Sequence, residues 1–279
     1  MFTQGRVKKK MASNGRKMLE EHIHNFVINL NPTDDEIKEG KEIMDKMFRL
    51  LQSCSTYSRG FSINRTVLYG GTAKKTSIRG CLDFDCAVIV NSSNNQLTIP
   101  KVLESFQDTL MMAEHWNLEE KDFNAAPKHD PKTLMFSING IGFDIGAYID
   151  TDVSMVETNV KFAKEKSAFA HEIARLAKFW NKTLILELMK DYQKISGRSS
   201  IMELVGFAAA EEEEKTNPGR INHLKAFRIF LVKIRDINNI KILHEDFWRR
   251  NGIYYKGTSA PCYIIDPSDA RGQLFRKSE

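Results

Sequence analysis

The sequence predicts an α+β fold organised as two lobes. Its 279 residues exceed the length of one typical domain, and a hydrophobic content of 42% is enough for a sizeable core. Helices and apolar runs of strand type alternate up to about Thr151. From Val156 onward, apolar residues recur at spacings of three and four, which indicates helices. We therefore expect a basic N-terminal segment (1–30), a lobe with a β-sheet (31–155) and a helical lobe (156–279).

The N-terminal segment is dominated by basic side chains, and the whole chain carries a net charge of +5. No acidic residue precedes Glu20. Such a tract is usually a flexible, solvated tail. The alternative is an RNA-binding segment, because a basic surface attracts phosphate backbones. The residues that would then contact RNA are Lys8, Lys9, Lys10, Arg16 and Lys17.

A helix is expected to begin just after Pro32. Thr33 would cap it, and Glu36, three residues later, would complete a capping box. Apolar residues then recur on one helical face, which indicates a stripe that packs into a core. The members of this stripe are Ile37, Met44, Met47, Phe48 and Leu51.

Residues 66–69 form an apolar run of strand type, and a glycine turn follows it. Gly70 and Gly71 permit a tight turn in which backbone N–H groups approach an anion closely. Hydroxyl and ammonium donors come next, and this combination predicts a phosphate-binding loop, although its spacing is not that of a Walker A motif. The donors are Thr72, Lys74, Lys75 and Thr76.

Two carboxylates separated by one residue, Asp83 and Asp85, lie just beyond this loop. The β-branched run 86–90 indicates a strand, in which alternate side chains point to the same face. Both carboxylates would therefore project together, with Phe84 facing the core. Adjacent carboxylates repel each other, so the pair favours a divalent cation such as magnesium. On its own an Asp-x-Asp pair is more often a solvated or capping pair.

A third carboxylate, Asp144, lies in the apolar segment 134–149, which predicts a hairpin that turns at Asn139-Gly140. A lone charge in such surroundings is costly to bury, so Asp144 needs a partner. A metal ion shared with Asp83 and Asp85 would provide it.

The helical lobe contains an amphipathic helix predicted at residues 223–236, after a break at 217–219. The acidic run 211–214 before the break is expected to be a solvated helix end. The buried face of the predicted helix should consist of Leu224, Phe227, Phe230, Leu231 and Ile234.

The cysteines and the hydropathy of the sequence indicate the cellular compartment of the protein. The four cysteines form no Cys-x-x-Cys pair, which speaks against structural zinc, and the lack of a disulfide framework favours a reducing compartment. No apolar segment is long enough to span a bilayer, and the N-terminus lacks the apolar region of a secretory signal. We expect a cytoplasmic, or alternatively nuclear, protein without membrane attachment.

Six motifs occur in a fixed order along the chain: 70–72, 76–80, 83–85, 143–145, the lysine-x-tryptophan helix 175–180 and the aspartate-proline segment 264–272. Together they resemble the DNA polymerase β-type nucleotidyltransferases. The branch that they resemble most closely is the 2'-5'-oligoadenylate synthetases, which share their core with the cyclic GMP-AMP synthases. The resemblance implies a bilobal nucleotidyltransferase fold with a mixed β-sheet catalytic lobe, a helical second lobe and substrate between them.

The resemblance also implies catalytic roles. Asp83, Asp85 and Asp144 would bind two magnesium ions, and Asp144 would act on the side of the attacking hydroxyl, with pyrophosphate as the leaving group. Lys178 aligns with the triphosphate lysine of the family, whereas an isolated helix lysine is more often solvated. Trp180 is more consistent with the core than with base stacking. The substrate-binding set would be Gly70, Gly71, Thr72, Lys74, Thr76 and Lys178.

The implied function is synthesis of 2'-5'-linked oligoadenylate, or a related nucleotide second messenger, from ATP, with double-stranded RNA as activator and a role in antiviral innate immunity. A cyclic-dinucleotide synthase, or a catalytically silent RNA-binding protein of the same fold, is the alternative. The glycine loop departs from the family pattern. It is one residue shorter, with Thr72 where serine is typical and Lys75 where glycine is typical.

Overall fold

The computed structural model describes residues 3–54, 60–92, 97–119, 122–123, 133–149, 153–185, 198–253 and 263–275. The helices in these segments are α1 (Thr3–Asn29), α2 (Asp34–Cys54), the single turn α3 (Gly70–Ala73), α4 (Ile99–Met111), α5 (Ser154–Lys164), α6 (Ala168–Trp180), α7 (Arg198–Thr216), α8 (His223–Arg235) and α9 (Glu245–Arg250). The strands are β1 (Phe61–Tyr69), β2 (Asp83–Ser92), β3 (Thr133–Ile138), β4 (Ile141–Ile149), β5 (Lys241–Ile242), β6 (Tyr263–Asp266) and β7 (Asp269–Phe275). The predicted α+β class is confirmed.

The chain forms two compact units. One, the sheet unit, is Pro32–Lys164, and the other, the helical unit, combines Met1–Asn31 with Glu165–Glu279. This division differs from the expected segments in two respects. Helix α1 is part of the helical unit rather than a separate basic segment, and α5 belongs to the sheet unit because it packs against β1.

The sheet unit is built on a mixed sheet of four strands in the order β1-β2-β4-β3. Strands β2 and β4 are parallel, and β1 and β3 pair with them in antiparallel fashion. One face carries the main core, in which Phe84 and Phe143 are fully buried and their rings stack 5.7 Å apart. Helices α2 and α4 pack on this part of the unit.

Helix α2 begins with the predicted capping box. The Thr33 N–H donates to Glu36 Oε2 (2.6 Å), and the Glu36 N–H donates to Thr33 Oγ1 (3.2 Å). These reciprocal bonds satisfy two N–H groups that a helix terminus leaves without an intrahelical partner. The predicted stripe is confirmed as well, since Met44, Met47 and Leu51 are almost wholly buried.

The predicted hairpin also forms, with Ile138 opposite Ile141 at its end. Asn139 (φ 53°) and Gly140 (φ 77°) both lie in the left-handed region. A two-residue turn of this kind matches the twist of the flanking strands, and the Asn-Gly pair is the sequence that adopts it most readily. The turn therefore fixes the register that places Asp144 on β4.

The opposite face of the sheet carries a smaller cluster of buried residues. Ala87, Ile89 and Val153 form a small buried cluster there, with Tyr69 and Tyr148 packed against it. Helix α5 lies near β1, where Arg65 Nη1 pairs with Glu157 Oε1 at 2.8 Å. Asp83, Asp85 and Asp144 have the same strand parity as Ala87 and Tyr148, so the carboxylates share this second face.

In the helical unit, α6 packs against α7 and α7 packs against α8, while α1 contacts α6 and α8. Phe26 of α1 meets Phe179 edge to face, with ring centroids 5.1 Å apart. His24 Nδ1 lies 3.3 Å from His223 Nδ1, and His223 Nε2 in turn lies 2.7 Å from Glu172 Oε2. These contacts join the C-terminal part of α1 to the rest of the helical unit.

Two expectations for the helical unit were wrong in detail. The buried face of α8 consists of His223, Ala226 and Phe230, whereas Leu231 is 36% exposed. The acidic run is not wholly solvated, because Glu213 is 2% exposed and its Oε2 accepts a hydrogen bond from Asn217. Each difference arises because the helices approach one another on faces that composition alone does not identify.

The unit also contains a small sheet in the order β5-β6-β7. The indole N–H of Trp248 donates to the Pro267 carbonyl (3.0 Å) and so ties α9 to the turn between β6 and β7. His244 Nε2–H donates to the Ile265 carbonyl (3.1 Å). Among the described helices, none has the length and apolar character that crossing a membrane would require.

Candidate active site

The candidate site begins with β2, which presents Asp83 and Asp85 on one face of the sheet. Phe84 between them is fully buried on the other face, as the sequence predicts. Asp83 is exposed and Asp85 is half-buried. Strand β2 therefore directs both carboxylates away from the main core, at the end of the strand that follows the glycine loop.

Asp144 lies on the neighbouring parallel strand, where it is the register partner of Asp85. Burial, and to a smaller extent the negative charge of Asp83, raises its pKa to about 6. An influence of Asp83 on Asp144 requires that the two carboxylates lie near each other. The structure thus brings the three predicted carboxylates together on adjoining strands.

Two glycines make room for these carboxylates. A Cβ placed on Gly70 would lie 1.7 Å from Asp85 Oδ2, and a Cβ on Gly142 would lie 2.4 Å from Asp83 Oδ1. Gly70 also has a φ of +65°, a conformation that glycine adopts without penalty. Gly142 was not identified from the sequence, because its importance depends on the pairing of β2 with β4.

The glycine loop is held by its own backbone. The N–H groups of Lys74, Lys75 and Thr76 donate to the carbonyls of Gly70 (3.1 Å), Thr72 (3.3 Å) and Gly71 (2.8 Å), respectively. Gly70 and Gly71 form the start of α3, which is a single turn. In this conformation the loop is a turn closed by backbone hydrogen bonds, and it leads into β2.

The predicted donors of the loop differ in their surroundings. Thr72 Oγ1 donates to the Asp83 carbonyl (2.5 Å) and lies 2.9 Å from Ser77 Oγ, so it braces the loop against β2. Thr76 is fully buried. Lys74 is half-buried, whereas Lys75 is exposed and has a φ of +62°.

Tyr69 is a further residue of this neighbourhood that the sequence did not indicate. It is the register partner of Asp85 across β1 and β2. Burial raises the pKa of its phenol, and the charges of Asp85 and Asp144 raise it again. Tyr69 therefore stays protonated and remains a hydrogen-bond donor beside the carboxylates.

The three aspartates are suitable ligands for magnesium, but they do not form a preassembled site. Among the residues that the structure describes, no three His, Cys, Asp or Glu side chains meet as a ready-made metal site. Oxygen donors from Asp83, Asp85 and Asp144 are nevertheless the ligands that Mg²⁺ prefers. Burial is the main cause of the raised pKa of Asp144 and the charge of Asp83 the lesser one, and a bound divalent cation would offset both by favouring the ionised carboxylate.

Lys178, in the helical unit, lies in the last turn of α6. Its Nζ is 3.5 Å from Glu203 Oε2 of α7, and the two side chains are only 11% and 5% exposed. The lysine is therefore neither the solvated residue of the simplest expectation nor an open phosphate ligand in this conformation. Trp180 contacts Phe230 edge to face, in agreement with a packing role.

The basic residues of the N-terminal segment fall on α1. Arg16 is exposed and pairs with Glu20 (3.0 Å), and Lys17 is exposed. Lys8, Lys9 and Lys10 lie in the helix, but their side chains are outside the described part of the structure.

Comparison with known proteins gives a structural likeness and no sequence likeness. No family model matches the chain, and no curated protein matches it in sequence. The solved structure of CdnC from E. coli MS115-1 with ATP matches with a TM-score of 0.64 at 19% identity, over 93% of this chain and 85% of that one. The chain has the nucleotidyltransferase fold.

A second structure, CdnC in complex with HORMA-deltaN, shares this nucleotidyltransferase fold with a TM-score of 0.62 at 20% identity, over 89% of this chain and 80% of that one. The Cid1 poly(U) polymerase matches at 15% identity over 68% of this chain and 53% of that one, and its TM-score of 0.47 is too low to support an argument. Neither likeness concerns an oligoadenylate synthetase, so that finer assignment stays a prediction.

Proposed function

We propose that the protein is a magnesium-dependent nucleotidyltransferase that uses ATP. The observation that carries this proposal is the placement of Asp83, Asp85 and Asp144 on adjoining strands, with Gly70 and Gly142 leaving space for two of the carboxylates. The nucleotidyltransferase fold supports it, and the ATP in the CdnC structure supports the choice of nucleotide.

The three aspartates would hold two magnesium ions, which supply charge neutralisation at the triphosphate and activation of the attacking hydroxyl. Asp144 acts on the side of the attacking hydroxyl, where its carboxylate is the proposed acceptor of the hydroxyl proton. The hydroxyl oxygen bonds to the α-phosphorus, the bond from the α-phosphorus to the bridging oxygen breaks, and pyrophosphate leaves. Thr72 keeps β2 and the glycine loop in register during this step.

The substrate-binding set follows the sequence resemblance. Gly70, Gly71, Thr72, Lys74 and Thr76 form the loop beside the carboxylates, and Lys178 is the proposed lysine for the triphosphate. Contact with phosphate requires the Lys178 ammonium to exchange Glu203 for a phosphate oxygen. The fully buried Thr76 then shapes the loop instead of touching the ligand.

The product is 2'-5'-linked oligoadenylate or a related nucleotide second messenger, made in antiviral defence by a cytoplasmic or nuclear enzyme. Double-stranded RNA is the proposed activator. The exposed basic side chains Arg16 and Lys17 support RNA binding through α1, with Lys8, Lys9 and Lys10 as further contacts. A cyclic dinucleotide is the alternative product, since closure of the second phosphodiester uses the same chemistry.

The deciding experiment incubates the purified protein with ATP and Mg²⁺, with and without double-stranded RNA, and measures pyrophosphate release. Mass spectrometry of the product then separates linear from cyclic molecules. Asp85→Asn is the control for the site, because it removes one ligand charge at nearly constant shape. Absence of a product with all four nucleoside triphosphates, with and without RNA, would leave the silent RNA-binding protein as the better interpretation.

A further inference from the structure

Two histidines from distant parts of the chain face each other in the helical unit. His24 lies on α1 and His223 lies on α8, 199 residues further along, so no sequence spacing indicates the pair. Their Nδ1 atoms are 3.3 Å apart, and the two rings are tilted by 56°. His223 is only 8% exposed, whereas His24 is exposed, so the pair is open to solvent through His24.

The distance between the two nitrogens is that of neighbouring ligands on one metal ion. Two nitrogens bound to a tetrahedral Zn²⁺ ion at about 2.0–2.1 Å lie about 3.3–3.4 Å from each other, and the centroids of their rings lie about 5 Å apart. The observed centroid distance is 4.9 Å. An N–H hydrogen bond is usually shorter, at about 2.9–3.0 Å. Ligation by both Nδ1 atoms would therefore need little movement of either ring.

A carboxylate fixes the tautomer of one of these histidines. Glu172 Oε2, on α6, lies 2.7 Å from His223 Nε2, and an ionised carboxylate can only accept, so Nε2 carries the proton. In the neutral imidazole, His223 Nδ1 then presents its lone pair toward His24. Histidines that bind a metal commonly donate their other N–H to a carboxylate in this way, which orients the ring. The charge of Arg175 also acts on Glu172, so this carboxylate orients the imidazole rather than neutralising a cation.

The ring of His223 is held on a further side by Phe169, which is buried and meets it edge to face with centroids 5.0 Å apart. This imidazole therefore has little freedom, and the exposed His24 is the ligand that adjusts. Imidazole nitrogens suit Zn²⁺, Cu²⁺ and Ni²⁺ better than Mg²⁺. No three His, Cys, Asp or Glu side chains of the described residues meet at one point, so water would complete the coordination of an ion at this pair.

We propose that His24 and His223 bind one Zn²⁺ ion through their Nδ1 atoms and that the ion ties α1 to α8, with Glu172 as the residue that positions His223. On binding, His24 loses the proton from Nδ1 to solvent and takes one up at Nε2, so its charge does not change. All three residues belong to the helical unit. The inference therefore does not depend on the proposed function of the aspartates in the sheet unit.

The test titrates Zn²⁺ into the untagged, metal-free protein by isothermal titration calorimetry. Excess Mg²⁺ is present throughout, because it competes for the oxygen ligands of the sheet unit and not for imidazole. His24→Gln removes the exposed ligand, and Glu172→Gln removes the charge of the carboxylate at nearly constant shape. His22→Gln is the matched control, since His22 is exposed on the same helix and its Nδ1 lies 2.6 Å from the Met18 carbonyl oxygen. Thermal unfolding with and without Zn²⁺ gives a second measurement.

The parent protein and His22→Gln should bind one Zn²⁺ ion with a Kd of about 10–100 µM, more weakly than a structural site with four ligands. Binding should weaken at least about tenfold in His24→Gln and about tenfold in Glu172→Gln. Zn²⁺ should raise the melting temperature of the parent protein but not that of His24→Gln.

A His24→Gln protein that binds Zn²⁺ as tightly as the parent would overturn the inference, and so would a parent protein that binds no Zn²⁺. The pair would then be a hydrogen bond that holds α1 in place. An unchanged affinity in Glu172→Gln would overturn the positioning role of that residue. Each of these results leaves the proposed nucleotidyl transfer standing.

Discussion

The carboxylate of Asp85 occupies the space that a side chain on Gly70 would need. The hypothetical Cβ lies 1.7 Å from Oδ2 and 2.8 Å from the Cβ of Asp85, so the clash involves the base of the side chain as well as its tip. A residue with a side chain at position 70 must therefore displace either the loop or the carboxylate. The glycine and the aspartate work as one structural pair.

Gly70→Ala should lower kcat by at least about 10²-fold, because a displacement of about 1 Å at a reacting centre has effects of this size. Gly140→Ala is the matched control, since Gly140 also has a positive φ but has no atom within 4 Å of the added Cβ. Both variants should lose about 1 kcal/mol of stability from backbone strain, Gly70→Ala should lose more because of its clash with Asp85, and only Gly70→Ala should lose activity. Steady-state kinetics and urea unfolding would measure the two effects. Equal kinetic losses in the two variants would contradict this assignment.

Asp144→Asn should stabilise the metal-free protein at pH 7.5 and abolish pyrophosphate release. The folded-state pKa of about 6 lies above the usual aspartate pKa of 3.8, so between these two pH values the folded protein holds a proton that the unfolded chain has lost. The contribution of Asp144 to stability is therefore greatest below the pKa that it has in the unfolded chain, and this contribution is lost as the pH rises through about 6. The gain at pH 7.5 should be on the order of 1 kcal/mol.

Urea unfolding of the metal-free protein at pH 5 and pH 7.5 would measure this effect. Asp108→Asn, at an exposed position of α4, should leave the difference in unfolding free energy between pH 5 and pH 7.5 unchanged. The affinity for Mn²⁺ should change with pH in the direction opposite to stability. Ligation needs the ionised carboxylate, so binding should weaken as the pH falls through about 6. An unaltered Mn²⁺ affinity in Asp144→Asn would remove Asp144 from the ligand set.

The buried ion pair of Lys178 and Glu203 should show strong coupling. Removing one partner leaves the other charge buried, and such changes cost about 3–5 kcal/mol. The double variant Lys178→Met/Glu203→Gln should therefore lose less stability than the sum of the two single variants, with a coupling of about 1–3 kcal/mol. A double-mutant cycle by urea unfolding would measure it. Additive losses would show that the 3.5 Å contact contributes no coupling.

His244 should make the helical unit acid-sensitive. Burial and, to a smaller extent, the nearby charge of Lys166 lower its pKa to about 3, so the folded protein keeps the imidazole neutral. In the unfolded chain the imidazole has its usual pKa of 6.5 and binds a proton that the folded chain does not, so stability is lost as the pH falls from about 6.5 toward 3. His244→Gln should reduce the loss between pH 7 and pH 5 by on the order of 1–2 kcal/mol. His22→Gln, at an exposed position of α1, is the control.

Local patterns predicted those parts of the site that depend on neighbours in sequence. The alternation of Asp83, Phe84 and Asp85, the Asn139-Gly140 turn and the capping box at Thr33 all follow from short-range geometry. Each was found where the pattern indicated. Such features are fixed by a few adjacent dihedral angles and their hydrogen bonds.

Residues that depend on pairing between distant segments were missed. Gly142 matters because the parallel register of β2 and β4 brings it against Asp83. Tyr69 matters because β1 places it opposite Asp85. The exposed Leu231 on α8 was misassigned for a similar reason, since helical periodicity identifies an apolar face but not how much of it a neighbour covers.

The discontinuous helical unit has a consequence for synthesis of the chain on the ribosome. Helix α1 emerges before the sheet unit, whereas α6 and α8, which contact it, emerge only after the whole sheet unit. The sheet unit is continuous and can fold as it appears, whereas α1 must wait with an apolar face uncovered. The nascent chain therefore offers a binding site to chaperones between these two events, and a permutation that moves α1 behind β7 would shorten that interval.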